Sequence, residues 1–280
     1  MRNLLYFALL GLLFACNSKP VELNIMTFNI RYDNPADSLN NWQYRKDVAS
    51  EVLKAHNIDI VGTQEVLYNQ LNDLKEHLPE YNALGVGRED GKTKGEYSAI
   101  LYKKDKFTEE ETGYFWLSET PEVAGSKGWD GACERIATWV ILKHNETGKK
   151  LFFLNTHLDH IGKIARQEGV TLILNRAKEL SKGLPVIITG DFNAEPETNV
   201  IKHVTESGFL KDSKNIAKTV NAQATGTFHA FGKVPEEKRT YIDYIFVNDK
   251  IQIEKYEVLP EKMNNVFVSD HVPVFAKVIL

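Results

Sequence analysis

Acids, amides and histidines fall where short apolar runs end. Asn29 closes one such run, Gln64 and Glu65 a second, His157 a third, and Asp191 a fourth with Asn193 two residues on; Asp243 lies just inside another, and Asp270-His271 precedes the last. A two-residue spacing in extended chain turns side chains to one side, which aligns Asp191 with Asn193, and Asn155 with His157 and Asp159. Taken singly each has an ordinary structural reading: Asp191 or Asp159 as a helix or turn cap, His157 as a satisfied core histidine, Asp243 as a strand-entry residue. Their recurrence at the mouths of successive apolar runs points instead to a shared metal site. Oxygen donors such as Glu65 and Asp270, with amides rather than thiolates around them, favour Mg²⁺ or Mn²⁺ over zinc. A histidine beside a carboxylate is an oriented imidazole, and a second histidine can donate to a phosphoryl oxygen as its charge rises. Hydrolysis of a phosphate ester fits that set. The chain has no Walker-type glycine loop and no GxSxG elbow, so an NTPase or a serine hydrolase lacks its motif.

The runs that must position these groups read as strands by length and by β-branched and aromatic content. They are expected over 21–30, 58–63, 97–102, 135–142, 151–156, 185–189, 241–247 and 272–279. Helices are expected over 45–56, with Val48, Val52 and Ala55 on one face, and over 161–182, with Ala165, Leu172, Ile173, Ala177 and Leu180. The turn-forming Asn248-Asp249 between two short late runs predicts an antiparallel hairpin there, and with it a mixed α/β sandwich.

Composition narrows the partners. Of 280 residues 42% are hydrophobic and 26% charged, the balance of a folded domain with a sizeable core. The net charge of −4 gives no basic footprint for gripping nucleic acid backbones. Two cysteines exclude a disulfide framework. The apolar stretch Leu4 to Phe14 is too short to span a bilayer and reads as a signal peptide. Its end, Leu13-Phe14-Ala15-Cys16, resembles a bacterial lipoprotein cleavage box. The expected organisation is therefore a signal peptide over 1–15, a lipidated Cys16 opening a short tether to residue 20, and a single monomeric domain over 21–280. Such a protein would be held at a membrane through its acyl chains, in the cell envelope outside the inner membrane. Cys133 remains as a free thiol with no base adjacent in sequence, an ordinary structural residue.

The segments Met26-Thr27-Phe28-Asn29, Thr63-Gln64-Glu65, Asn155-Thr156-His157, Gly190-Asp191-Phe192-Asn193, Tyr241-Ile242-Asp243-Tyr244 and Ser269-Asp270-His271 resemble, in order, the motifs of the endonuclease/exonuclease/phosphatase superfamily. The resemblance implies a four-layer α/β sandwich, two mixed and mainly antiparallel sheets face to face with helices outside, and Mg²⁺-dependent phosphoester cleavage. It makes Glu65 the principal metal ligand, with Asn29 nearby holding a phosphate oxygen or a metal water, and Asp270 a further ligand. Asp191 would orient or deprotonate the attacking water, Asn193 would contact a non-bridging oxygen, and His157 would hydrogen-bond the phosphoryl group. Asp243 would orient His271, which serves either as base or as phosphate-binding imidazolium. The run His157-Leu158-Asp159-His160-Ile161-Gly162 with Arg166, and the passage Phe115 to Arg135 through Trp129, are similar to secreted bacterial members near the deadenylase-like branch.

Substrate choice stays open at this level, because one core hydrolyses nucleic acids, sugar phosphates and phospholipids. Arg31, Arg135 and Arg166 are candidate phosphate clamps, with structural ion pairs as the alternative, and Asp159 and His160 are candidate substrate contacts. Trp129 could stack on a base or sugar or pack on its own sheet. The reading is a hydrolase of a small organic phosphate; a nuclease is the alternative, and a phosphate-binding protein on the same fold is the non-enzymatic one.

Overall fold

The computed structural model describes residues 19–222 and 224–280. The expected signal peptide and the lipid-bearing Cys16 lie outside them. In chain order the strands are β1 (Glu22–Asn29), β2 (Ile60–Val66), β3 (Tyr81–Leu84), β4 (Tyr97–Lys103), β5 (Phe107–Trp116), β6 (Ile136–His144), β7 (Lys150–His157) and β8 (Val186–Asp191). They continue as β9 (Lys211–Asp212), β10 (Thr219–Asn221), β11 (Asp243–Val247), β12 (Gln252–Val258), β13 (Lys262–Met263), β14 (Val266–Phe267) and β15 (Val274–Ile279). The helices are α1 (Trp42–Ala55), α2 (Tyr68–His77), α3 (Lys163–Leu180), α4 (Asn199–Thr205) and α5 (Ser213–Ile216).

Two sheets carry the architecture, in the orders β10-β12-β15-β1-β2-β4-β3 and β5-β6-β7-β8-β11-β9. Each is mixed and mainly antiparallel, with β1 and β2, and β10 and β12, parallel in the first and β7 and β8 parallel in the second. Strand periodicity assigns the faces. In β1, Leu23 and Ile25 join an apolar cluster between the sheets with Phe153, Ile187 and Ile245, while Met26 and Phe28 turn outward to Val52, Leu53 and Leu74 of α1 and α2. On the far side, Val170, Ile173 and Ala177 of α3 cover Val186 and Ile188 of β8. The layers run helix, sheet, sheet, helix, as expected.

Gly62 lets the sheets approach, because a Cβ there would collide with Thr189 Oγ1 and Asn155 Oδ1. Gln64 Nε2 donates to Asn155 Oδ1 at 2.7 Å, and Asn155 Nδ2 donates to the Thr63 carbonyl at 2.8 Å. Asn155 therefore fastens the two sheets instead of lining a site with His157, and Gln64 does the same.

All eight expected strands and both expected helices are present, with shifted ends. The hairpin expected at Asn248-Asp249 is not: β11 belongs to the second sheet and β12 to the first. Asn248 is buried, accepting from the Val186 N–H and donating to the Leu184 carbonyl. Those bonds anchor the turn to the start of β8 and send the chain across the sandwich. The strand β5 went unread because residues 108–114 offer little apolar alternation; it is an edge strand paired with β6, and its acidic face suits that position.

Candidate active site

Register creates the site. His157 at the end of β7 pairs with Asp191 of β8, and Asp191 pairs with Asp243 of β11, so three adjacent strands deliver the three side chains side by side. The facing sheet contributes Asn29 from the end of β1 and Glu65 from β2. A register shift between Thr63 and Val66 against β4 re-aims Glu65, whose φ is +61°. Arg31 and Asn193 also hold positive φ, at 59° and 45°; strained backbone of this kind gathers at functional sites.

Asn29 ties the sheets together at the site. Its Nδ2 donates to Glu65 Oε1 and to Asp191 Oδ2, both at 3.0 Å. Glu65 Oε2 accepts from the Tyr32 N–H at 3.1 Å. Arg31 Nη1 stands 3.7 Å from Glu65, its Nε 3.7 Å from Asp270, and its firm partner is Asp37 at 2.9 Å. Arg45, fully buried in α1, donates to the Ile30 carbonyl at 2.8 Å and the Val268 carbonyl at 3.1 Å, fixing the two segments that carry Arg31 and Asp270.

His271 Nδ1 lies 2.9 Å from Asp243 Oδ2, and its Nε2 faces Asp191 Oδ2 at 3.7 Å. Burial works against the charged ring, but Asp243, through charge and hydrogen bond, then Asp191 and Asp270, outweigh it and push His271 up to about 10. Asp191 is pushed up to about 7, first by burial and then by Asp243, against the pull of His271. His157 goes the other way: burial and then Arg135 and Arg88 hold it well below 6.5, so the ring is neutral. Its Nε2 is 3.0 Å from Asn193 Nδ2 and 3.5 Å from Asp191 Oδ2.

Glu65 and Asp270 are the candidate donors for a cation. Both offer carboxylate oxygens, and Asp270 is pushed up by burial, with Glu65 adding repulsion against the pull of His271, a conflict that a positive ion beside both would relieve. The residues fit a hard divalent ion. Asp191, Asp243 and His271 also cluster closely enough to hold one, but Asp243 and His271 already occupy each other's facing atoms.

A cavity of about 610 Å³ opens over these groups. Of the sequence candidates, Arg31, Glu65, Arg135, His157, His160, Asp191, Asn193, Asp270 and His271 line it. Asp243 stands behind His271, and Asn29 behind Glu65 and Asp191. Asp159 and Arg166 are not brought in. Asp159 accepts from four backbone N–H groups, those of Ile161, Gly162, Ala132 and Cys133. Its carboxylate therefore shapes a loop. Arg166 lines an adjoining cavity of about 770 Å³. The start of α3 offers no free anion site either, since Asp130 takes the Ile164 and Ala165 N–H groups. Trp129 lies outside the cavity wall, its backbone N–H directed to Glu119.

Sequence reasoning passed over Arg88 and Glu96, both in the wall. They form a two-pronged ion pair at 2.7 and 2.9 Å. Glu96 immediately precedes β4, so the rule that found the other acids, a charge at the mouth of an apolar run, would have found it. Phe228 and Phe231, from a loop with no periodicity to read, complete the rim.

The Endonuclease/Exonuclease/phosphatase family model matches residues 26–271. The crystal structure of an endonuclease/exonuclease/phosphatase from Bacteroides vulgatus is 44% identical, covering 92% of this chain and 98% of that one, with a TM-score of 0.89. A mannosyl-6-phosphatase from Bacteroides thetaiotaomicron is 40% identical, covering 92% and 100%, with a TM-score of 0.87. Among curated proteins, the Ccr4 exoribonuclease subunit of the CCR4-Not complex of Mycosarcoma maydis is 22% identical over 338 residues; the match takes in 91% of this chain and 50% of that protein.

Proposed function

This chain belongs to the endonuclease/exonuclease/phosphatase family, whose members are metal-dependent phosphoester hydrolases, and from that premise we propose that it is a phosphatase acting on a phosphorylated sugar. The observation that carries the chemistry is Asp191, buried between Asn29, His157 and His271 at the floor of the cavity. The substrate class is supported by the similarity to the mannosyl-6-phosphatase along nearly the whole length of both chains.

In this reading Asp191 orients the attacking water and takes its proton. His271, kept charged and aimed by Asp243, donates from Nε2 to a phosphoryl oxygen as negative charge builds there. Asn193 and His157 supply further hydrogen bonds to the phosphoryl group. Glu65 and Asp270 would hold Mg²⁺, with Mn²⁺ as a substitute, and Asn29, whose Nδ2 donates to Glu65, would fix that carboxylate beside the ion. When bound, the ion supplies Lewis-acid charge to the transferring phosphoryl group. A nuclease is the second reading, supported by the similarity to Ccr4. The cell-envelope location belongs to the proposal as well and rests on the Leu13 to Cys16 box.

Hydrolysis with Mg²⁺, read as phosphate release from hexose phosphates and nucleotides and as chain cleavage of oligonucleotides, tests the proposal. Hexose phosphates should give the highest kcat/KM, and faster cleavage of an oligonucleotide would replace this reading with the nuclease one. Cys16→Ser should move the full chain from the membrane to the soluble fraction; unchanged fractionation would remove the anchor.

A further inference from the structure

One wall of the cavity carries a donor that nothing else among the described residues uses. Arg135 is 5% exposed, with Nε 3.5 Å from Asp159 Oδ2 and Nη2 3.0 Å from His160 Nδ1. Its Nη1 is buried with no hydrogen-bond partner, and the residue lines the cavity. A buried donor left unmade is costly, and such groups call for a specific explanation. Beside it stands Glu96, whose two oxygens hold Arg88, and Arg88 Nε is likewise buried without a partner.

His157 separates this wall from the reacting groups. Its Nε2 faces Asp191 and Asn193, while its Nδ1 faces Glu96 Oε2 at 3.8 Å and is buried without a hydrogen bond. Asp191 and the Arg88-Glu96 pair therefore meet opposite edges of one imidazole.

The charges on this wall are already largely balanced. Arg88 is neutralised by Glu96, and Arg135 faces Asp159. A second phosphate would meet the Glu96 carboxylate, whereas a neutral polyol offers both an oxygen for Arg135 Nη1 and a hydroxyl proton for Glu96, each of whose oxygens keeps a lone pair after binding Arg88. The nearby group of Cys133, Asp159 and His160 does not compete as a cation site. Four backbone N–H groups fill the Asp159 carboxylate, and His160 Nδ1 faces a guanidinium.

We propose that Arg135 and Glu96 form a subsite for the hydroxyl-bearing ring of the substrate, with Arg135 donating to a ring oxygen or hydroxyl and Glu96 accepting from a neighbouring hydroxyl. Arg135 is then a specificity residue and not a phosphate clamp. The inference rests on the sugar-phosphatase reading and deepens it.

The test compares mannose 6-phosphate with 4-nitrophenyl phosphate, which carries the phosphate but no polyol, for Arg135→Met, Arg135→Lys and Glu96→Gln. Melting curves establish that each variant folds, and Glu96→Gln, which keeps the side chain's shape, tests the subsite independently of any change that Arg135→Met makes to the wall. The ratio of kcat/KM between the two substrates should fall at least about tenfold in Arg135→Met and Glu96→Gln, the effect of losing a hydrogen bond to a charged group. The fall should be smaller in Arg135→Lys. Free mannose, as a competitive inhibitor of aryl phosphate hydrolysis, should weaken by a similar factor. Equal losses on both substrates would assign Arg135 to the phosphate and overturn the inference, as would no loss on either. A wild type inactive on every hexose phosphate but active on another ester would overturn the functional reading itself, and this subsite with it.

Discussion

Asp191 and Asp159 stand at the ends of the segments that frame His157, and each is 1% exposed. Their carboxylates nonetheless go opposite ways. Asp159 meets four backbone N–H groups at 2.7 to 3.2 Å, with Arg135 nearby, and these outweigh burial and hold it well below the usual carboxylate range. Asp191 receives a single backbone N–H, from Asn193 at 2.9 Å, together with Asn29 Nδ2, and has Asp243 as a neighbour. Burial and that neighbour push it up. Neither is open to solvent, but Asp191 lies deeper and beside a second acid while Asp159 has four N–H donors, so burial, charge and donors together separate them. A carboxylate whose lone pairs are filled by backbone holds a loop in place; one left in electrostatic conflict on a cavity floor is available for chemistry.

The largest effect should follow from removing the conflict. Asp191→Asn and His271→Ala should each lower kcat/KM at least about a hundredfold, the scale of a positioned base or an electrostatic stabiliser. Asp191→Asn should at the same time hold or raise the melting temperature, because it relieves repulsion with Asp243. Phosphate release and thermal melting on one preparation check both, and a variant of near-normal activity would end the contrast with Asp159. Chelation should abolish turnover, and Mg²⁺ should restore it. Glu65→Gln should resemble the chelated enzyme.

These two aspartates also mark how far the sequence could be read. Asp191, Asp243, Glu65 and His271 were legible because each ends or begins an apolar run, and a strand mouth becomes a site when neighbouring strands align there. Asp159 satisfies the same two-residue spacing from His157, yet it is the turn cap of its ordinary reading, bonding the N–H groups of Ile161 and Gly162, and what no local pattern encodes is the second loop that brings the N–H groups of Ala132 and Cys133. Asn155 has that spacing too, but it faces the other sheet across Gly62. The helix α2, though not among the expected elements, was legible, since Leu67, Leu71, Leu74 and Leu78 recur at helical spacing and the last three are buried. The strand β5 lacks apolar alternation, and the Asn248 turn deceived because a turn signal does not say which sheet the chain enters next.

Asp159→Asn should act on stability more than on catalysis. Losing charge on a group bound by four N–H donors should lower the melting temperature by about 3 to 6 °C, and kcat/KM should fall about tenfold or less through the shifted loop. The pH dependence has a defined sign. The folded pKa is depressed, so the charged group's stabilisation is complete above its unfolded value, near 3.9, and is lost as pH falls toward the folded one. The gap in melting temperature between wild type and variant should therefore shrink between about pH 5 and pH 2. A gap that widens in acid would show that the carboxylate charge is not what holds the loop.

The smallest effect is expected at Arg166. Its Nη1 donates to the Asp159 backbone carbonyl at 2.7 Å, a bond to a group that the four N–H contacts already hold in place. It lines the adjoining cavity, not the one over Asp191, and Asp130 occupies the N–H groups at the start of its helix. Arg166→Ala should then cost about 0.5 to 1.5 kcal/mol, one net hydrogen bond, seen as a melting shift of a few degrees at most and a kcat/KM on hexose phosphates within about threefold of wild type. Placing Arg166→Ala in an Asp159→Asn background sharpens the point, because residues that act through one loop should show non-additive losses. A hundredfold loss on the minimal substrate would instead set Arg166 beside Asp191 among the groups that meet the phosphate, and the division between a saturated, structural side and a conflicted, reactive side would no longer hold.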